Sequence, residues 1–179
     1  AKDRIITILG LGTLGTACGI ALERLGFNVR GWSRREKRVD GILCFYGDDQ
    51  IDSSLLDADI VVLLLPDTPL TQNILNQHTL NLLKRGAFVL NPGRGPLIDD
   101  DALLAALETG QIEHATLDVF RIEPLPKNHQ YWSNNKVTVI PHKASETRPK
   151  TASQVIAMNI ERAENGQELL YLVDRENGY

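Results

Sequence analysis

With 179 residues, 42% of them hydrophobic, the chain has enough apolar material for one ordinary domain with a true core, which excludes a disordered polypeptide. The net charge is −4 and the only basic block is the RREKR run at 34–38, so general nucleic-acid binding, which needs many clustered Lys and Arg against phosphates, is not expected. No apolar run approaches the ~20 residues that span a bilayer, and the first one ends in glycine too early for a signal peptide, so a cytoplasmic protein without a membrane partner is expected. Cys18 and Cys44 lie in apolar sequence without metal-ligand spacing; they are expected to be buried thiols, and no metal site is expected.

Along the chain, Ile5–Leu9 is an apolar run, interrupted only by the β-branched Thr7, of the kind that forms a strand covered on both faces. Helical spacing follows over Leu14–Leu25 and stops at Gly26, a natural helix terminus. Phe27–Trp32 predicts a second strand, Ile51–Leu56 a short helix, and Ile60–Leu65 an apolar strand broken by Pro66. A helical turn at Leu80–Leu83 precedes a strand at Ala87–Leu90 and then the loop "NPGRGPLI". "DDDALLAALETG" predicts a helix, its acidic first turn and closing glycine marking the two ends. Ala115–Leu117 and Val137–Ile140 predict strands on either side of a Pro-rich loop, and residues 148–165 return to helical spacing before the tail "YLVDRENGY".

Strands alternating with helices imply right-handed crossovers and a parallel, doubly wound α/β sheet. Ligands of such sheets lie beyond the C-terminal strand ends, near the switch point. Gly10, Gly12 and Gly15 form a GxGxxG directly after the first strand and directly before the first helix. In that setting Gly10 permits the sharp turn, Gly12 lets a pyrophosphate approach the backbone, and Gly15 allows close packing of helix on sheet. The amides of Thr13 and Leu14 would then face the anion. A plain glycine-rich turn is the alternative.

A dinucleotide site selective for NAD(H) places Asp or Glu at the end of the second strand, for the ribose 2′-hydroxyl. Ser33 stands there, followed by Arg34 and Arg35 in "GWSRREKR". Without a carboxylate to repel it, and with guanidinium groups to bind it, a 2′-phosphate is favoured, so NADP(H) is expected and NAD(H) remains possible. A solvated basic turn is the competing explanation.

Three polar residues follow other strands. Arg94, after Ala87–Leu90, would suit the carboxylate and carbonyl of a 2-oxo acid. Glu123 follows the strand ending at Leu117, and His142 follows the next strand and a proline. A histidine with a neighbouring carboxylate can deliver a proton to a carbonyl oxygen as hydride reaches the carbon. Spacing alone leaves each of the three open as an ordinary loop residue. Of the other histidines, His78 and His129 read as exposed loop residues and His114 as a strand entrance.

Taken together, "GLGTLG", "LLPDTPLT", "LNPGRG", "DDDALLAALETG", "LDVFRIEPLP", "PHKASETRP" and "VDRENGY" resemble the D-isomer-specific 2-hydroxyacid dehydrogenases, most closely their glyoxylate/hydroxypyruvate reductase branch. The resemblance covers the whole chain. It implies that Arg94 binds and polarises the substrate, that His142 is the general acid/base and that Glu123 orients and charges it. It further implies that Asp118 contacts the nicotinamide carboxamide, that Leu65 and Pro66 line the adenosine side, and that the protein is a homodimer acting on a small 2-oxo or 2-hydroxy acid. Two departures stand out. Gly93 replaces the usual Ala or Ser before the arginine and is expected to loosen its backbone, and Lys143 adds charge after the histidine.

The family also carries a substrate-binding domain of roughly one hundred residues, mostly before the first strand. Only four residues precede Ile5, so the chain is expected to be the cofactor-binding domain of a longer enzyme, turning over poorly by itself. Residues 1–146 would form that domain, and 147–179 a C-terminal helix and tail that pack on the missing half. An NADH-dependent dehydrogenase of the phosphoglycerate type is an alternative, as is a nucleotide-sensing module of the corepressor kind.

Overall fold

A computed structural model describes residues 1–175, so the last four residues of the "VDRENGY" motif lie outside the described residues. Seven parallel strands form one sheet: β1 (Ile5–Leu9), β2 (Asn28–Ser33), β3 (Leu43–Tyr46), β4 (Ile60–Leu63), β5 (Ala87–Asn91), β6 (Ile112–Leu117) and β7 (Val137–Val139). Their order is β3-β2-β1-β4-β5-β6-β7, so the winding reverses between β1 and β4. Helices α1 (Thr13–Arg24), α2 (Ile51–Leu55), α3 (Gln77–Leu82) and α4 (Asp100–Thr109) connect these strands.

The central strands carry apolar side chains on both faces because helices cover both. Ile8, Leu9, Val61, Leu63, Val89 and Ala115 have no exposed surface. One cluster, with Leu55, Leu80, Leu103, Leu107 and Ile112, fills the space towards α2, α3 and α4; a smaller one joins Ile6, Ile8, Val29, Ile42 and Val62. Helix ends follow local chemistry. Asn76 and Thr79 form a reciprocal capping box on α3, Asp99 accepts the Ala102 N–H at the start of α4, and Gly110 closes α4 in the left-handed conformation.

Several expectations are corrected. The strand expected over Ile60–Leu65 ends at Leu63: Leu64 gives one more amide bond, to Leu9 O at 2.8 Å, and the chain then leaves the sheet before Pro66, which has no N–H to donate. The edge strand β3 was not foreseen; its LCFY sequence is short and only half-buried, which leaves a weak pattern. His114 lies inside β6 rather than at its entrance and bonds Thr138 Oγ1 at 2.8 Å. His78 belongs to α3 and pairs with Asp52 of α2 at 2.8 Å, and His129 is half-buried against the Tyr131 ring. Cys18 and Cys44 are half-buried rather than buried; burial still pushes the Cys18 thiol up from its ordinary value.

Two compact units divide the chain, Ala1–His142 and Lys143–Tyr179. The second contains α5 (Pro149–Glu164), whose Asn159 amide exchanges two hydrogen bonds with the Leu170 backbone, at 2.8 and 3.1 Å.

Candidate active site

The turn after β1 is shaped by what its glycines lack. Gly10 has φ +111°, donates its N–H to Trp32 O at 2.9 Å, and lies so close to the neighbouring strand end that a Cβ would stand 2.5 Å from Leu64 O. A Cβ on Gly15 would stand 1.7 Å from Gly10 O, so only glycine lets α1 close onto the turn. Gly12 differs: it has φ −72° and a Cβ there would meet nothing within 4 Å. That open space lies in front of the N-terminus of α1.

Unlike α3 and α4, α1 has no side-chain cap, and unlike α4 it has no acidic residue in its first turn. Its first intrahelical bond runs from Thr16 N–H to Gly12 O, so the Thr13 and Leu14 amides come before the helical ladder. Gly12, Thr13 and Leu14 are exposed, Leu14 to 65%. A helix end without its own anion, with open space in front of it, fits a diphosphate. The residues present therefore fit a dinucleotide.

The ends of the neighbouring strands β2 and β4 flank this turn. Ser33, at the end of β2, is buried and donates its hydroxyl to Arg35 O at 2.8 Å, which folds the basic turn back on itself. Arg34 is half-buried and Arg35 exposed. Lys37, which sequence reasoning left unassigned, donates to the Leu11 carbonyl within the glycine turn, as does Thr16 Oγ1 at 3.2 Å. Leu65 and Pro66 are half-buried on the other side, beyond β4, where Thr71 Oγ1 braces the segment through Pro66 O at 2.7 Å.

The polar trio converges at the ends of β5, β6 and β7. His142 Nδ1 lies 2.8 Å from Glu123 Oε2. A carboxylate only accepts, so the proton between them sits on Nδ1 and the other ring nitrogen is left for a ligand. The second Glu123 oxygen accepts the Phe120 N–H at 2.9 Å. Burial pushes the Glu123 carboxyl up, but the bonds from His142 and Phe120, with the charges of His142 and Arg94, outweigh it and hold the group below the ordinary carboxylate range.

This lowered value has a consequence for stability. A carboxyl whose native pKa is depressed adds stability that is present above its unfolded value, about 4.3, and is lost as pH falls through the native value. A Glu123→Gln variant is therefore expected to melt below the wild type near neutral pH, with the gap closing in acid. The gap should be small because the Glu123 side chain is 36% exposed. Thermal melts at stepped pH check this; a gap that stays constant from neutral to acidic pH would contradict it.

The backbone around the trio is held by residues whose importance sequence reasoning missed. The Asn91 side chain, buried at the end of β5, accepts the Gly93 N–H at 3.1 Å and donates to Arg94 O at 2.9 Å, clamping the arginine loop from both sides. Its signal was present in "LNPGRG" as a polar residue ending an apolar strand. Gly93, expected to loosen that loop, is buried, and a Cβ on it would come 2.8 Å from Leu63 O. The loop is tight there, and glycine is what fits. Arg94 is exposed, with its guanidinium on Gly93 O at 2.7 Å. Asp118 is buried after β6, and its carbonyl accepts the His142 N–H at 2.9 Å, supporting a left-handed backbone at His142 (φ +50°). Among the described residues no group of acidic, His or Cys side chains could hold a metal, and no helix is long and apolar enough to cross a membrane.

With this geometry in hand, the relatives are informative. Residues 1–144 match the model of the family "D-isomer specific 2-hydroxyacid dehydrogenase, NAD binding domain". A glyoxylate/hydroxypyruvate reductase A of Serratia proteamaculans is 45% identical over 174 residues, which is 97% of this chain and 56% of the relative. The Yersinia enterocolitica protein of the same name is 41% identical over 174 residues. The chain thus spans about half the length of the curated relatives it matches, at 56% of each of these two. Among solved structures, a D-isomer specific 2-hydroxyacid dehydrogenase from Xanthobacter autotrophicus Py2, in complex with NADPH and MES, superposes with TM-score 0.97 at 45% identity, over 100% of this chain and 74% of that one. The NADPH-dependent glyoxylate/hydroxypyruvate reductase of Sinorhizobium meliloti, in complex with NADP and sulfate, gives TM-score 0.95 at 33% identity over 100% of this chain and 58% of that one. By sequence, sheet order and the glycine turn, the chain belongs to the D-isomer specific 2-hydroxyacid dehydrogenase family, through its NAD binding domain.

Proposed function

We propose that this chain is the cofactor-binding half of an NADPH-dependent reductase that converts glyoxylate or hydroxypyruvate to the corresponding 2-hydroxy acid. The observation that carries the reading is the 2.8 Å His142–Glu123 pair, standing with Arg94 at the same sheet edge as the uncapped N-terminus of α1. Bound nicotinamide would supply the hydride. The glycine turn and the Thr13 and Leu14 amides hold the diphosphate, and Leu65 and Pro66 flank the adenosine. Asp118, buried after β6, is assigned to the nicotinamide carboxamide. Arg94 pairs with the substrate carboxylate and draws charge from its carbonyl. The free nitrogen of His142 donates its proton to the carbonyl oxygen, and Glu123 stabilises the imidazolium before transfer. Relatives described as NADPH-dependent, or holding NADPH, support the choice of cofactor, as does the absence of an acidic residue at position 33.

Residues 1–146 serve as the nucleotide-binding domain in this reading, and 147–179 as the segment that packs on a substrate domain. A cytoplasmic homodimer belongs to the same proposal: two unpaired thiols suit a reducing compartment, and the net charge of −4 suits a small-molecule enzyme better than a nucleic-acid binder. Calorimetry of this chain with NADPH and NADH tests the cofactor assignment, with NADPH expected to bind more tightly. Ser33→Asp should weaken NADPH by about tenfold or more, roughly 1.4 kcal/mol or more, while sparing NADH. A variant that binds NADPH as tightly as the wild type does would remove the 2′-phosphate from the interpretation. Rapid glyoxylate reduction by the isolated chain would contradict its role as half an enzyme.

A further inference from the structure

The loop that carries Glu123 and the loop that carries Arg94 come from different strands, and their relative placement decides whether the arginine and the imidazole address one substrate. The two loops already touch through their backbones: a Cβ on Gly95 would stand 1.9 Å from the Phe120 carbonyl carbon. What spans them is Arg121, two residues before Glu123. One of its terminal nitrogens donates to the Asn73 side chain, to Ile98 O, and to Pro96 O at 3.4 Å. Its Nε faces Asp100 Oδ2 at 3.8 Å, at the first turn of α4.

These partners belong to one unit. Asn73 N–H donates to Pro96 O and Leu75 N–H to Leu97 O, so residues 73–75 are laced to the segment that leaves Arg94. Asp100 is itself held by the Tyr131 hydroxyl at 2.9 Å and approached by His129 at 3.8 Å. Asp100 thus has partners other than Arg121. The guanidinium, with 35% of its side chain exposed, adds side-chain hydrogen bonds between this assembly and the Glu123 loop, beside the backbone approach at Gly95. Arg121 belongs to neither apolar cluster.

We propose that Arg121 is a positioning residue: it locks the Glu123 loop to the Arg94 loop and so sets the distance between the carboxylate-binding guanidinium and the proton-donating imidazole. The inference rests on the reductase reading for its kinetic part and on geometry alone for its structural part. Its reach is specific to substrate alignment, since the glycine turn and the basic turn after β2 lie at other strand ends.

The test uses Arg121→Ala and Arg121→Lys. In the reductase that carries this chain, Arg121→Ala is expected to lower kcat/KM for glyoxylate or hydroxypyruvate by about tenfold or more, through misalignment of reacting groups, with NADPH affinity unchanged. Arg121→Lys, which keeps a cation able to reach the carbonyl oxygens, should recover part of the loss. In this chain by itself, amide exchange at Gly93, Leu97 and Phe120 should quicken by about tenfold in Arg121→Ala, because those amides bond within the two joined loops. Combining Arg121→Ala with Asn73→Ala should cost less than the sum of the two, as expected for partners in one network. Faster exchange with unaltered kinetics would reduce Arg121 to a structural contact and overturn the proposal, as would parallel losses of melting temperature and NADPH affinity without a specific substrate effect. Unchanged exchange would overturn it as well. A wild-type reductase inactive on both substrates would instead defeat the functional reading, and the exchange result would still decide the clamp.

Discussion

In the reductase proposed above, replacing His142 by Asn is expected to lower turnover by about a hundredfold or more while leaving NADPH affinity nearly intact, since a positioned acid/base, the role proposed for His142, contributes that much to a proton-coupled step. The separation of the two effects follows from where the groups stand. The imidazole is tied to Glu123 at 2.8 Å and its backbone to Asp118 O at 2.9 Å, at the ends of β6 and β7. The diphosphate would lie at the N-terminus of α1, after β1. Asparagine can accept the same backbone geometry, because it tolerates the left-handed conformation better than most residues, and φ at His142 is +50°. A loss of activity therefore reports chemistry rather than a disturbed turn. Steady-state kinetics with glyoxylate, paired with calorimetry for NADPH, separate the two. Wild-type turnover in the variant would remove the proton-donor role from His142, and an equal loss of cofactor affinity would point to collapse of the site.

The second large effect distinguishes the glycines of the first turn. Gly12→Val should leave the melting temperature nearly unchanged, because a Cβ at that position meets nothing within 4 Å and φ is −72°. It should nevertheless weaken NADPH by about tenfold or more, since the side chain would occupy the space assigned to the diphosphate. Gly15→Ala should behave in the opposite order. Its Cβ would stand 1.7 Å from Gly10 O, so helix and turn must move apart, at about 1–3 kcal/mol in stability, and cofactor binding falls as a consequence. Thermal melts and calorimetry on both variants provide the comparison. If Gly12→Val binds NADPH as the wild type does, the diphosphate is not in front of α1.

How much of this was legible in the sequence depended on whether the signal was local. The strands β1 and β4 announced themselves as runs of aliphatic residues, broken in β1 only by Thr7, and α4 through its acidic start and terminal glycine, because burial on both faces and helix capping leave compositional marks. The edge strand β3 left none: an edge needs apolar residues on part of one face only, and LCFY is half-buried. His78 and His129 were read as exposed loop residues; one belongs to α3 and pairs with Asp52, the other is half-buried and stacks near Tyr131, and both partners are distant in sequence or unmarked by any period. Gly93 was read as a source of looseness. Its neighbour across the sheet, Leu63 O, turns the same residue into a close packing contact.

By itself, then, the sequence determined the alternating pattern of strands and helices, the glycine turn with its lack of an acidic partner at position 33, and the identity of the three polar residues at strand ends. Those are properties of short stretches, set by periodicity, by the backbone demands of turns and by the chemistry of individual side chains. Tertiary structure alone decided that Glu123 reaches His142 across 19 residues and that Arg121 bridges to Asn73 across 48. The parallel sheet accounts for this division. It brings the carboxyl ends of distant strands to one edge, so the groups that must act together are neighbours in space only after every strand has found its place.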